Sequence, residues 1–240
     1  MSRTNFSTYL AIKQELLDMF KKQAFPGNKL PPESELARQM GISLVTLREA
    51  LLMLAMEGYI TKQHGSGNYI HKSTLDFENR SIFYLENLAC DGHSASVSVL
   101  SQTICAAEAD AAAALQLPEQ SKVLVNRILY LQDDIPAIFL ISQIPVSLLK
   151  RSDYENMDFS HLHEMIWKYC EDTFAHSLNE YLPLNPPDEV AEILHLQKDA
   201  AILSNNQVFY DSRDIPVMFS RSYYYPSIYK LRILQNWALL

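Results

Sequence analysis

Apolar side chains recur at helical spacing along the first quarter of the chain. Tyr9, Ile12, Leu16, Met19 and Phe20 fall three or four residues apart, which predicts one face of a helix over residues 5–24. The break Phe25-Pro26-Gly27-Asn28 ends it. A second helix is expected within residues 30–41. Pro31-Pro32 suits its first turn, Glu33 and Glu35 favour its positive end, and Gly41 terminates it. A third is expected over residues 45–56, capped by Ser43, with Leu47, Leu51, Leu54 and Ala55 turned inward. Two short helices joined by Gly41-Ile42-Ser43 make a helix-turn-helix. Residues 58–62 then read as a strand, His64-Gly65-Ser66-Gly67 as a tight turn, and residues 68–71 as the return strand. That hairpin is a wing.

Beyond it the periodicity lapses over a polar linker, residues 73–84, and then helical and strand patterns alternate. Helices are expected over residues 106–117, 162–169 and 189–196. Strands are expected over 123–131, 137–144, 202–210 and 217–225. Four of these strands belong to a repeat. Asn126-Arg127-Ile128-Leu129-Tyr130, Asp134-Ile135-Pro136 and Ser142 return 80 residues later as Asn206-Gln207-Val208-Phe209-Tyr210, Asp214-Ile215-Pro216 and Ser222. Each copy is strand, polar turn, strand. Two such hairpins separated by helices predict a pseudo-symmetric, mostly antiparallel sheet with helices packed on it. The expected organisation is a DNA-binding domain over 1–72, the linker, and a larger α+β domain over 85–240.

Charge follows the same division. The chain carries −8 overall, yet residues 1–75 hold nine Lys or Arg against six acids. That segment is +3 and the remainder −11, which suits phosphate neutralisation by the first domain alone. Short polar residues are needed where a recognition helix enters the major groove, so Ser43 and Thr46 are well placed. Arg48 can hold a phosphate or read guanine; its alternative is a surface salt bridge with a nearby acid. Ser34 starts the preceding helix, where a hydroxyl and free amides suit a phosphate. Gly65 lets the wing backbone approach DNA closely, with Lys62 and His64 beside it.

The run LPPESELARQMGISLVTLREALLMLAMEGYITKQHGSGNYI resembles the DNA-binding domain of GntR-type bacterial regulators in the order and spacing of its pieces. Leu44 departs from that pattern. It stands where such regulators commonly carry arginine or another polar residue, so it is the position at which base recognition is expected to differ. Residues 80–235 resemble the effector-sensing UTRA domain of the HutC-type branch. The two Asp-Ile-Pro hairpins and Phe219-Ser220-Arg221-Ser222-Tyr223-Tyr224-Tyr225 carry that resemblance.

The resemblance implies a chorismate-lyase-like α+β fold, a homodimer binding a near-palindromic operator in double-stranded DNA, and a small-molecule site between sheet and helices. It also implies effector contacts. Arg127 stands where the family often holds an anionic group, and Ser96 in the loop that caps one end of the ligand. His161 and His163 replace Ser and Tyr at a helix start. Met218 replaces a glutamate of sugar-phosphate sensors, and Tyr224 matches a family tyrosine. These differences imply an effector unlike an amino sugar phosphate.

Other classes find little support. A hydrophobic share of 48% and a charged share of 20% are those of a globular chain, without an apolar run of membrane-spanning length. No secretory leader is recognisable at Met1, so a cytoplasmic location is expected. Cys90, Cys105 and Cys170 are widely spaced and expected to be buried thiols in a reducing compartment. His161, His163 and His176 do not have metal-ligand spacing, and no glycine-rich phosphate loop or Gly-x-Ser-x-Gly elbow exists. No cofactor or metal is expected. The rivals to a regulator are an enzyme built on the sensor fold and an adaptor that does not use its helix-turn-helix.

Overall fold

The computed structural model describes residues 3–63, 65–75, 88–89, 92–197 and 199–231, with side chains from residue 11 onward except that of His163. They form two compact units, one within Met1–Asn79 and one within Arg80–Leu231.

In the first unit, helix α1 (Arg3–Lys22) buries Ile12, Leu16, Leu17 and Phe20, as their spacing requires. Helix α2 (Glu33–Gln39) opens behind the paired prolines and buries Leu36 and Ala37. Gly41 then takes φ 66°, a left-handed conformation that a side chain disfavours, and redirects the chain. Ser43 caps helix α3 (Leu44–Met56), its Oγ accepting the Thr46 amide at 3.1 Å. Leu47, Ala50, Leu51 and Leu54 close the core from α3. Strands β1 (Ile60–Gln63) and β2 (Gly67–Ile70) pair antiparallel, Ile60 opposite Ile70, and form the wing. A last turn, α4 (Lys72–Leu75), adds Leu75 to the same core, so the expected linker begins as structured chain. Its remaining residues, 76–84, lie outside the described ones.

The second unit is built on one six-stranded antiparallel sheet in the order β3-β4-β5-β8-β7-β6. Its strands are β3 (Ala95–Ala106), β4 (Lys122–Gln132), β5 (Ile135–Pro145), β6 (His176–Leu184), β7 (Ile202–Tyr210) and β8 (Pro216–Tyr224). Helices α5 (Ala109–Ala114), α6 (Leu162–Cys170) and α7 (Asp188–Ile193) pack on it. Two differences from the sequence expectation stand out. The edge strands β3 and β6 were not anticipated. The helix expected over 106–117 is shorter, because β3 continues through Ala106.

The repeat is larger than two hairpins. Adding 80 to the numbers of β3, α5, β4 and β5 lands on β6, α7, β7 and β8 in turn. Ile141 and Arg221 differ by 80 and are register partners, so the pseudo-twofold axis passes between them at the β5–β8 junction. Leu140 opposite Ser222 and Ser142 opposite Ser220 are interchanged by the same operation.

Register partners share a face of the sheet. One face packs Leu124, Ile128, Tyr130, Ile138, Leu140, Met218 and Tyr224 against Leu162, Met165, Ile166 and Tyr169 of α6. The other packs Val123, Val125 and Phe219 against α5, and Phe139 and Tyr223 against α7.

Candidate nucleic-acid interface and effector face

The start of α3 and the wing meet through one carboxylate. Glu33, the first residue of α2, accepts from Arg48 Nε at 2.8 Å and from Asn68 Nδ2 of β2 at 3.3 Å. Lys62 Nζ of β1 lies 3.5 Å from the same carboxylate. The hydrogen bond from Arg48, aided by Asn68 and the two cationic charges, holds the Glu33 carboxyl below its ordinary value against the opposing effect of burial. Glu33 is largely covered, whereas the Arg48 and Lys62 side chains are 58% and 67% exposed. Both cations therefore stand outward from a shared anchor, and the contact to Arg48 uses only Nε.

The other described contact candidates lie on the first turn of α2, at the start of α3 and in the wing turn. Ser34 is exposed on the first turn of α2. Ser43 and Thr46 bond each other, Oγ to Oγ1 at 2.7 Å, as well as making the cap. Gly65 holds φ 73° in the wing turn with nothing within 4 Å of where a Cβ would stand. His64 lies outside the described residues. The salt bridge weighed as the alternative for Arg48 is present, without hiding the side chain.

Leu44 turns the other way, half-buried against the core of the first unit. Its neighbour Val45 is 67% exposed. The sequence reading missed Val45 and the anchoring roles of Glu33 and Asn68. Helical spacing carried the signal for Val45: Leu44 lies three residues before Leu47 and shares its inward face, which leaves Val45 pointing out. Glu33 carried no such signal, because its partners are 15, 29 and 35 residues away.

The effector candidates are not gathered into one place. Met218 and Tyr224 lie on the α6 face, fully buried, with the Tyr224 ring stacked on Tyr229 at 4.0 Å. Arg127 is a register partner of Ile141 and so lies on the opposite face. There it donates from Nε to Glu189 of α7 at 3.0 Å. Ser96 is exposed on β3 opposite Leu131, on the Arg127 side. His161 sits exposed at the N-cap of α6, Nδ1 3.7 Å from the Asp158 carboxylate. The His163 side chain is not among those described.

Arg127 has a counterpart across the pseudo-axis. Arg221 donates to Asp110 of α5 and, from Nε, to Asn206 at 2.9 Å. Each repeat thus clasps the helix of the other.

Two sequence-family profiles match the chain: "Bacterial regulatory proteins, gntR family" over residues 8–70, and "UTRA domain" over residues 91–230. The second alone spans more than half of the chain. The protein belongs to the GntR family of bacterial regulators and carries a UTRA domain.

Its relatives agree along most of their length. The HTH-type transcriptional regulator YurK of Bacillus subtilis is 29% identical over 215 residues, 88% of each chain. The HTH-type transcriptional repressor NagR of the same organism is 26% identical over 81% of each. The crystal structure of YydK from Bacillus subtilis superimposes with a TM-score of 0.77 at 19% identity, covering 95% of this chain and 99% of that one. This GntR-family member is thus an α+β transcriptional regulator with an N-terminal helix-turn-helix and a C-terminal antiparallel-sheet domain.

Among the described residues no single helix is long and apolar enough to cross a membrane, and no group of three or more His, Cys, Asp or Glu is placed to hold a metal ion. One expectation about the thiols is corrected. Cys170 is buried, and burial pushes its thiol up to about 11, but Cys105 is exposed on edge strand β3. Cys90 lies outside the described residues.

Proposed function

We propose that this regulator is a cytoplasmic, non-enzymatic repressor. In this reading it binds a near-palindromic operator as a homodimer and leaves it when a small molecule occupies the UTRA domain. The observation that carries the reading is the gathering of Arg48 and Lys62 on Glu33, with Val45 exposed one turn away on the same helix end. Recognition helix and wing are joined there by a buttress that leaves both cations outward, as phosphate and base-edge contacts require.

Ser34, Ser43, Thr46, Lys62, His64 and the Gly65 backbone supply the remaining contacts in this reading. Leu44 acts indirectly, by seating the start of α3 on the core. Control by an effector is a linkage between two sites. A molecule that binds the operator-incompetent arrangement more tightly lowers DNA affinity by the ratio of its two affinities. NagR is named a transcriptional repressor, which supports the sign of regulation proposed.

Immunoprecipitation of the tagged protein from its host, followed by sequencing of the recovered DNA, tests the reading. Discrete promoter-proximal sites, lost in the Arg48→Ala protein, are expected. Recovery spread uniformly over the genome, or unchanged by the substitution, would reject it.

A further inference from the structure

From Ser43 to Leu47 the start of α3 carries no charged side chain. Leu47 is fully buried in the core of the first unit, and Leu44 packs against the same core. The hydroxyls of Ser43 and Thr46 share a hydrogen bond, so one of their two protons is already used within the helix start. The Ser43 oxygen also accepts the Thr46 amide. Donation to a base from these side chains is thereby confined to a single short hydroxyl.

What this turn presents outward is Val45. Two residues turn an α-helix by about 200°, so Val45 stands on the side opposite buried Leu47. Its side chain is largely exposed accordingly. Leu52 and Met56 are exposed along the same line, seven and eleven residues on. They lie about 10 and 16 Å further from the capped end. Of the three, only Val45 shares the turn that Ser43 caps and Arg48 flanks.

A side chain in that place meets base edges when the helix enters the major groove. Those edges are hydrogen-bond donors and acceptors, with one apolar exception, the C5-methyl of thymine. Valine set over the edge of guanine, adenine or cytosine strips water from a polar group and returns no hydrogen bond. Set over thymine, it buries methyl against methyl.

We propose that Val45 is a specificity-determining residue that selects thymine, through its C5-methyl, at one position in each operator half-site. This rests on the reading of the protein as an operator-binding regulator. Arg48 follows three residues later, about 4.5 Å along the helix axis and close to one base step of about 3.4 Å. The selected thymine therefore lies beside the base or phosphate that Arg48 contacts.

The test uses the full-length protein and the duplex it enriches from a random-sequence library. Each thymine of that duplex is replaced in turn by deoxyuridine, which removes the C5-methyl and leaves base pairing intact. Affinity is read by fluorescence anisotropy. At one thymine per half-site the replacement is expected to weaken binding roughly 4-fold, and roughly 15-fold with both half-sites changed. Val45→Ser is expected to bind the thymine and deoxyuridine duplexes alike. Leu52→Ser, on the same line but outside the capped turn, is expected to keep the full penalty. An enriched duplex in which no deoxyuridine weakens binding would overturn the proposal and leave the regulator reading intact. So would a penalty undiminished in Val45→Ser, or one lost equally in Leu52→Ser. Enrichment of no sequence by the folded protein rejects the regulator reading, and the role of Val45 with it.

Discussion

Side chains with the largest foreseeable effects are few and lie at the start of α3. A bidentate contact from Arg48 to guanine is worth about 1–3 kcal/mol, so Arg48→Ala is expected to weaken operator binding roughly 5- to 150-fold in fluorescence anisotropy. Val45 is the exposed apolar residue of the same turn and suits a thymine methyl. Val45→Ser is expected to relax base preference at one position per half-site while leaving the salt dependence of binding unchanged, because no phosphate contact is lost. Glu33 links recognition to stability. Its folded carboxyl value lies below the ordinary 4.5, so the stability it contributes is complete above that value and is lost as pH falls through the folded one. The urea midpoint of Glu33→Gln should therefore lie below wild type at neutral pH, with the gap narrowing as the pH is brought below the ordinary carboxyl value and the wild-type carboxyl becomes protonated. Thiol labelling at pH 8 should modify Cys105 and spare Cys170 until the protein unfolds, since one is exposed and the other buried with its thiol at about 11. Labelling of both at equal rates would contradict the packing of α6.

At the scale of elements, legibility in the sequence followed the degree of one-sided burial. Helix α3 was readable because Leu47, Leu51 and Leu54 all face one core and Ser43 caps it. Ser43→Ala is expected to cost about 0.5–2 kcal/mol in chemical denaturation of the first unit. The central strands were readable because Asp-Ile-Pro recurs at the hairpins and their apolar residues are buried. Strands β3 and β6 were not readable. Both are sheet edges, exposed along most of their length, so no alternation separates an inner from an outer face. The helix before β4 was overextended for the related reason that β3 ends in Ile104-Cys105-Ala106, residues a helix also accepts. Helix α6 holds one sheet face shut through Ile166, which is fully buried. Ile166→Ala should cost about 2–5 kcal/mol, read as a lower urea midpoint for the UTRA domain. A change below 0.5 kcal/mol would mean that α6 is not seated there.

Across the whole molecule, the sequence repeat becomes an internal twofold. Its axis passes between Ile141 and Arg221, and Arg127 and Arg221 brace the helices of opposite halves. Of the effector candidates drawn from family resemblance, Met218 and Tyr224 lie on the α6 face and Arg127 and Ser96 on the other, a division set by strand pairing that the linear sequence does not display. In the first unit Arg48 and Lys62 meet on Glu33, since a helix start and a short hairpin fix them locally. The central claim is that this GntR-family protein reads a specific operator through the start of α3. Selection of bound duplexes from a random-sequence DNA library at near-physiological salt tests it most directly. Enrichment of a short inverted repeat by the wild-type protein, and its loss with Arg48→Ala, is the expected result. Folded, dimeric protein that enriches no sequence, or enriches the same repeat without Arg48, would contradict it.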